Sequence, residues 1–131
     1  RAFAGEAGVT SPTSEPPSAE GPALIWCPFA DPDSAAQAAN NLLDDGLIAC
    51  ANILSPMRSL YCWQGERGEG TEVGVLFKTD AALLDKATQR LAEIHPYDTP
   101  AVLGWKVDAA SPATAGWLGQ LVTGRERLHG A

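Results

Sequence analysis

At 131 residues, with 45% hydrophobic and 19% charged side chains, the chain has the size and composition of one ordinary domain that buries its core without disulfides or a structural metal. Nine Lys and Arg against sixteen Asp and Glu leave a net charge of −7, which argues against nucleic acid as a partner. The odd count of three cysteines, Cys27, Cys50 and Cys62, has no CxxC pair and argues against a secreted disulfide scaffold or a zinc ribbon. Residues 1–10 lack the apolar stretch of a signal peptide and no run approaches the roughly 20 residues that span a bilayer, so a cytoplasmic protein without membrane contact is expected.

Residues 1–22 are expected to form a disordered tail. From Gly5 onward the tail consists, apart from Val9, of Ser, Thr, Pro, Glu, Gly and Ala, with too little apolar surface to offset the entropy of ordering. The folded domain is expected over 23–122, with a flexible C-terminal tail over 123–131. Ala23-Leu24-Ile25-Trp26-Cys27, stopped by Pro28, has the pattern of a strand buried on both faces. Asp31-Pro32-Asp33-Ser34 then supplies an N-cap carboxylate and a proline at the first helical position. The helical stripe is Ala35, Ala38, Ala39, Leu42 and Leu43, and Gly46 marks its end. Leu47 to Trp63 is too long for a plain strand, and Ser55-Pro56 predicts a bulge or edge position within it. The three glycines of Gln64 to Gly70 predict a hairpin loop into a third strand, Thr71 to Thr79, where Val73, Val75 and Phe77 recur at every second position. Asp80 caps a second helix with the stripe Leu83, Leu84, Ala87, Leu91 and Ile94, and His95-Pro96 ends it. A fourth strand is expected at Ala101 to Val107, and Ser111-Pro112 starts a short helix through Trp117, Leu118, Leu121 and Val122.

The resulting order βαββαβα consists of two β-α-β units in series joined by a hairpin. It predicts an α+β, ferredoxin-like sandwich: an antiparallel sheet with the helices on one face, followed by a C-terminal helix. The opposite face has no helix in this scheme, and a subunit interface is the expected cover.

Several segments, in this order, resemble the CutA divalent-cation-tolerance family. They are Cys27 with Asp31-Pro32-Asp33, Leu47-Ile48-Ala49-Cys50-Ala51-Asn52-Ile53, Ser59-Leu60-Tyr61-Cys62-Trp63-Gln64-Gly65-Glu66, Leu76-Phe77-Lys78-Thr79 and His95-Pro96-Tyr97-Asp98-Thr99-Pro100. The resemblance spans about Ala23 to Leu121. It implies a ferredoxin-like homotrimer, similar in architecture to PII signalling proteins, in which long hairpin arms of the second and third strands reach neighbouring subunits. It also implies a non-enzymatic protein of metal-ion tolerance, with copper or another divalent cation as its ligand.

The resemblance marks Cys27, Cys50 and His95 as metal ligands, a thiolate and imidazole set suited to Cu(I) or Zn(II). Against that stands burial, since both cysteines lie in apolar strand runs where a free thiol behaves as a small hydrophobe. His95, at a helix C-terminus, also suits plain hydrogen bonding to frayed carbonyls. Family members commonly carry a glutamate directly after the proline of the His95 loop, and Ala101 stands here instead. Tyr61 and Trp63 share one strand face and read either as packing residues at an interface or, with Glu72, Lys78 and His95, as an intersubunit cleft for a small anionic ligand. There is no Gly-rich phosphate loop, G-x-S-x-G elbow or H-E-x-x-H helix, so no enzyme activity is expected.

Overall fold

The computed structural model describes residues 18–130, with side chains as far as residue 124. The N-terminal tail expected at 1–22 therefore lies outside the described residues except for 18–22. The elements are β1 (Pro22–Phe29), α1 (Pro32–Asp44), β2 (Cys50–Trp63), β3 (Glu66–Asp80), a 3-10 turn (Ala81–Leu83), α2 (Leu84–Ile94), β4 (Leu103–Lys106) and α3 (Pro112–Gly130). The sheet order is β2-β3-β1-β4 with every pair antiparallel, the ferredoxin-like arrangement expected from the order of elements.

Local chemistry sets the helix ends. The Asp31 carboxylate accepts the Ser34 N–H at 2.7 Å ahead of Pro32, and Gly46, at φ 72°, turns the chain out of α1. The buried stripe of α1 is Ala35, Ala38, Ala39 and Leu42, whereas Leu43 points outward at 42% exposure. Asp80 accepts the Ala82 N–H at 2.9 Å, and α2 continues from the 3-10 turn until His95 goes extended before Pro96. Ala87 and Leu91 are the buried residues of α2, and they join Ile25, Phe29, Leu42, Ile48, Val73, Val75 and Phe77 in the core.

Four features differ from the sequence expectation. First, β1 is not buried on both faces. Ala23, Ile25, Cys27 and Phe29 face the helices and are fully buried, while Leu24, Trp26 and Pro28 on the other face are half-buried. Second, the hairpin loop is a two-residue turn. Gln64 and Gly65 adopt φ 51° and φ 80°, the left-handed pair that matches the twist of adjoining strands, so Gly68 and Gly70 belong to β3. Third, β4 is shorter than the 101–107 segment expected to form it.

The fourth difference concerns the face expected to be bare. Leu118 and Val122 of α3 are buried but stand outside the core between α1, α2 and the sheet, and α3 packs on β1 and β3. With one sheet face occupied by α1 and α2, α3 covers part of the other, and Gly119 lies against Ala19 there. This helix runs to Gly130, past Val122, so the tail expected over 123–131 is helical backbone as far as it is described. Among the described residues no helix is long and apolar enough to cross a membrane.

The expected bulge is present as a register shift between Ile53 and Pro56. Beyond it β3 outruns its inner neighbour, because β1 pairs only with Val73 to Asp80. Met57 to Trp63 and Glu66 to Glu72 therefore form a two-stranded arm, about 20 Å long at roughly 3.3 Å per residue.

The base of β3 is fastened by Thr79, fully buried, whose hydroxyl donates to the Leu47 carbonyl at 2.7 Å. Thr79→Val keeps the shape and strands that carbonyl. A loss of about 1–3 kcal/mol in urea unfolding is expected, and an unchanged midpoint would contradict this role.

Candidate functional site

Because side chains alternate along a strand, the register of β3 decides what faces away from α1 and α2. Glu66, Gly68, Gly70, Glu72, Gly74, Leu76 and Lys78 share that open face. Opposite them on β2 stand Trp63, Tyr61, Ser59 and Met57 in the arm, then Asn52 and Cys50 nearer the base. On β1 the same face carries Pro28, Trp26 and Leu24. The arm, the sheet and the 97–101 loop enclose a groove of about 950 Å³ lined by Trp26, Met57, Tyr61, Trp63, Glu72 and Tyr97, among others. Two strand glycines shape its floor: a methyl group at Gly74 would overlap the Trp26 ring, and one at Gly68 the Tyr61 ring. Both rings therefore lie flat on the sheet where a side chain would displace them.

A chain of hydrogen bonds ties the 97–101 loop to the sheet. The Tyr97 hydroxyl donates to Glu72 Oε2 at 2.8 Å, and the Tyr97 N–H donates to His95 Nδ1 at 3.1 Å. With Nδ1 accepting, the His95 proton sits on Nε2 and is donated to the Pro28 carbonyl at 2.8 Å. The ring also stacks on Phe29, with centroids 4.3 Å apart, and leans on Tyr97. Burial, followed by the hydrogen bond to Glu72 and by the negative charges of Glu72, Cys27 and Asp31, pushes the Tyr97 hydroxyl up to about 12. The Cys27 thiol is likewise pushed up to about 12, by burial and then by the charge of Glu72.

The three expected metal ligands do not meet. Cys27 pairs with Val75 and Cys50 with Lys78, three positions apart on β3, so the two thiols lie on opposite faces of the sheet. Cys27 is fully buried among the core residues. His95 is 6% exposed and spends both ring nitrogens on backbone partners. Among the described residues no three His, Cys, Asp or Glu side chains form a group that could hold a metal ion. These residues do not fit a metal centre within one subunit.

The cleft residues separate differently. Tyr61, Trp63 and Glu72 line the groove together, whereas Lys78 stands opposite Cys50 at the far end of β3 and His95 lies behind Tyr97. Trp26, Met57 and Tyr97 are groove residues that the sequence pattern did not single out. Gly74 and Gly68 were the available signal, since glycine inside a strand marks a place where something lies close to the backbone.

A family model described as CutA1 divalent ion tolerance protein matches residues 23–121. The chain belongs to this family. It is 38% identical over 95 residues to the divalent-cation tolerance protein CutA of Pyrococcus horikoshii, covering 72% of this chain and 92% of that one. Its fold matches the crystal structure of the divalent ion tolerance protein CutA1 from Ehrlichia chaffeensis with a TM-score of 0.73 at 33% identity, over 78% of this chain and 95% of the other. It also matches the structure of the periplasmic divalent cation tolerance protein CutA from Archaeoglobus fulgidus, with a TM-score of 0.72 over 77% and 98% of the two chains. At 24% identity that last likeness is one of fold alone. The CutA-family match runs from the second residue of β1 into α3 and so takes in the arm, the groove and the His95 loop.

The placement of the thiols predicts their reactivity. At pH 8 a thiol reagent should modify Cys50 and Cys62, half-buried and exposed, and leave Cys27 untouched until the protein is unfolded. Equal rates at all three would refute the buried position of Cys27. The pH dependence has a fixed sign: a thiol and a phenol held protonated in the fold stabilise it until the unfolded chain ionises. Stability should therefore fall from about pH 9 toward pH 12, where the folded groups themselves ionise. In melting curves, Cys27→Val should weaken that fall.

Proposed function

We propose that the chain is a non-enzymatic, homotrimeric protein of divalent-cation tolerance whose subunits join through the β2–β3 arm. The observation that carries the assembly is the arm itself. Leu60, Tyr61 and Trp63 are more than half exposed on a two-stranded ribbon that extends beyond the end of β1, and Ile53 and Leu54 beside the bulge are also exposed. A two-stranded hairpin is marginal in water alone and needs a partner surface. At the other edge of the sheet, Leu103 and Trp105 of β4 are exposed too, so one chain carries both an apolar arm and an apolar edge to receive it. The number three comes from the family resemblance.

The absence of catalysis is part of this proposal. Among the described residues, burial disturbs the ionisation of Tyr97 and Cys27, and both are pushed away from neutrality, the reverse of what a general base or nucleophile requires. Copper or another divalent cation is cargo in this reading. Of Cys27, Cys50 and His95, only Cys50 keeps a reachable donor, its thiol being bonded to Asn52 Oδ1 alone at 3.6 Å. In this reading Cys50 supplies the thiolate contact to the ion. The free thiols Cys50 and Cys62 favour a reducing compartment such as the cytoplasm.

A second reading is favoured by the groove, whose size is that of a small-molecule site. In that reading the trimer presents its clefts to a soluble ligand in the manner of a sensor.

Light scattering at micromolar concentration tests the assembly. A mass three times the 13.7 kDa chain is expected for the native protein and a smaller one for Leu60→Asp, because an interface buries that charge without a partner. A monomeric native protein would overturn the proposal. Copper titration of the same samples should respond to Cys50→Ala and not to His95→Gln, and the reverse would return the site to the histidine.

A further inference from the structure

We propose that the hydrogen bond from Tyr97 to Glu72 is a clamp that presets the angle of the β2–β3 arm for its neighbour, which makes Tyr97 a positioning residue for subunit assembly. The inference rests on the arm-mediated assembly proposed above and names the group that prepares the arm for it.

The arm leaves the sheet at a weak point. The outermost pair between β1 and β3 is Phe29 with Val73, so Glu72 is the first residue of β3 without β1 beside it. At the same level Ile53 stands opposite Val75 and Pro56 opposite Val73, which sets both Leu54 and Ser55 against Gly74. A bulge of this kind interrupts the ladder and bends the strand that carries it.

Packing within the subunit does not fix the angle of that bend. A groove of about 950 Å³ lies between the arm and the 97–101 loop. Among the described residues, one side-chain hydrogen bond joins the arm to the rest of the subunit: the Tyr97 hydroxyl donates to Glu72 Oε2 at 2.8 Å. The ion pair of Arg58 with Glu69 runs between the two strands of the arm itself.

Leverage makes this single bond decisive. Over an arm about 20 Å long, a swing of roughly 10° at the root carries the tip about 3.5 Å sideways, while apolar side chains touch only within about 4–4.5 Å. Leu60, Tyr61 and Trp63, which the neighbour has to meet, stand in the outer part of the arm. An arm already held at one angle loses less freedom on docking.

The anchor of the clamp is rigid. The Tyr97 N–H donates to His95 Nδ1 at 3.1 Å, His95 Nε2 donates to the Pro28 carbonyl at 2.8 Å, and the imidazole stacks on Phe29. Pro28 and Phe29 are the last two residues of β1, so the loop is fastened where the arm departs. The carboxylate acceptor makes the bond to Tyr97 charge-assisted, and a phenol pushed up to about 12 keeps its proton to donate at neutral pH.

Subunit exchange tests the clamp. Trimers of ordinary and of isotope-labelled chain are mixed at the lowest temperature at which the native protein exchanges within hours, and mixed species are followed by native mass spectrometry. Tyr97→Phe, which keeps the ring beside His95, and Glu72→Ala should each exchange at least about fivefold faster than native, with the double variant no faster than the faster single one. Glu72→Gln, whose amide oxygen still accepts the hydroxyl, should stay within about twofold of native, as should Thr79→Val, which weakens the fold away from the arm. A native rate in Tyr97→Phe, multiplied rates in the double variant, or equal acceleration by Thr79→Val overturns the clamp and leaves the arm-mediated assembly standing. A monomeric native protein overturns that assembly and the clamp with it.

Discussion

The strict two-residue alternation along β3 is the constraint from which the other features follow. This strand is 15 residues long, pairs with β2 along nearly its whole length and with β1 only over its second half. The inner half fixes the core, because Val73, Val75, Phe77 and Thr79 all turn to α1 and α2. The outer half has no β1 beside it and becomes the arm. Had the register slipped by one residue, Val75 and Phe77 would face solvent and Glu72 would enter the core, so apolar burial itself holds the alignment. The same parity parts Cys27 from Cys50 and gathers Trp26, Tyr61, Trp63 and Glu72 on one surface.

The loop after α2 completes that surface. Pro96 forces His95 out of helical geometry, and the freed imidazole bridges the Tyr97 N–H and the Pro28 carbonyl across β1. A buried ring with both nitrogens satisfied is a fastening, because either bond broken would leave a buried polar group unpaired. Tyr97 is thereby delivered to Glu72 at the groove wall. Ala101 also lines the groove, whose carboxylates are Glu72 and Asp98.

What could be read from the sequence was what is decided locally. Asp31-Pro32, His95-Pro96 and Ser111-Pro112 each mark a helix end where expected, whereas Asp80 caps the 3-10 turn Ala81–Leu83 that precedes α2; Ser111 Oγ accepts the Thr114 N–H at 3.2 Å. The bulge at Ser55-Pro56 was legible for the same reason. Gly68 misled because glycine permits a loop as readily as it permits an aromatic ring overhead, here that of Tyr61, and Gly70 because a glycine suits a loop as well as a strand; only pairing with β2 decides between them. The separation of Cys27 from Cys50 depends on the pairing of three strands, and the position of α3 depends on which sheet face the other helices have taken. Neither is encoded in any short window. The family's cysteines and histidine thus looked like a ligand set in one dimension and are a core thiol, an open-face thiol and a loop fastener in three.

X-ray absorption at the metal edge of the copper-loaded or zinc-loaded protein tests that separation most directly. The account predicts a coordination shell without the combination of two sulfurs and an imidazole, and one left unchanged by Cys27→Val. A shell of two sulfurs and one imidazole nitrogen that loses a sulfur in Cys27→Val would contradict it.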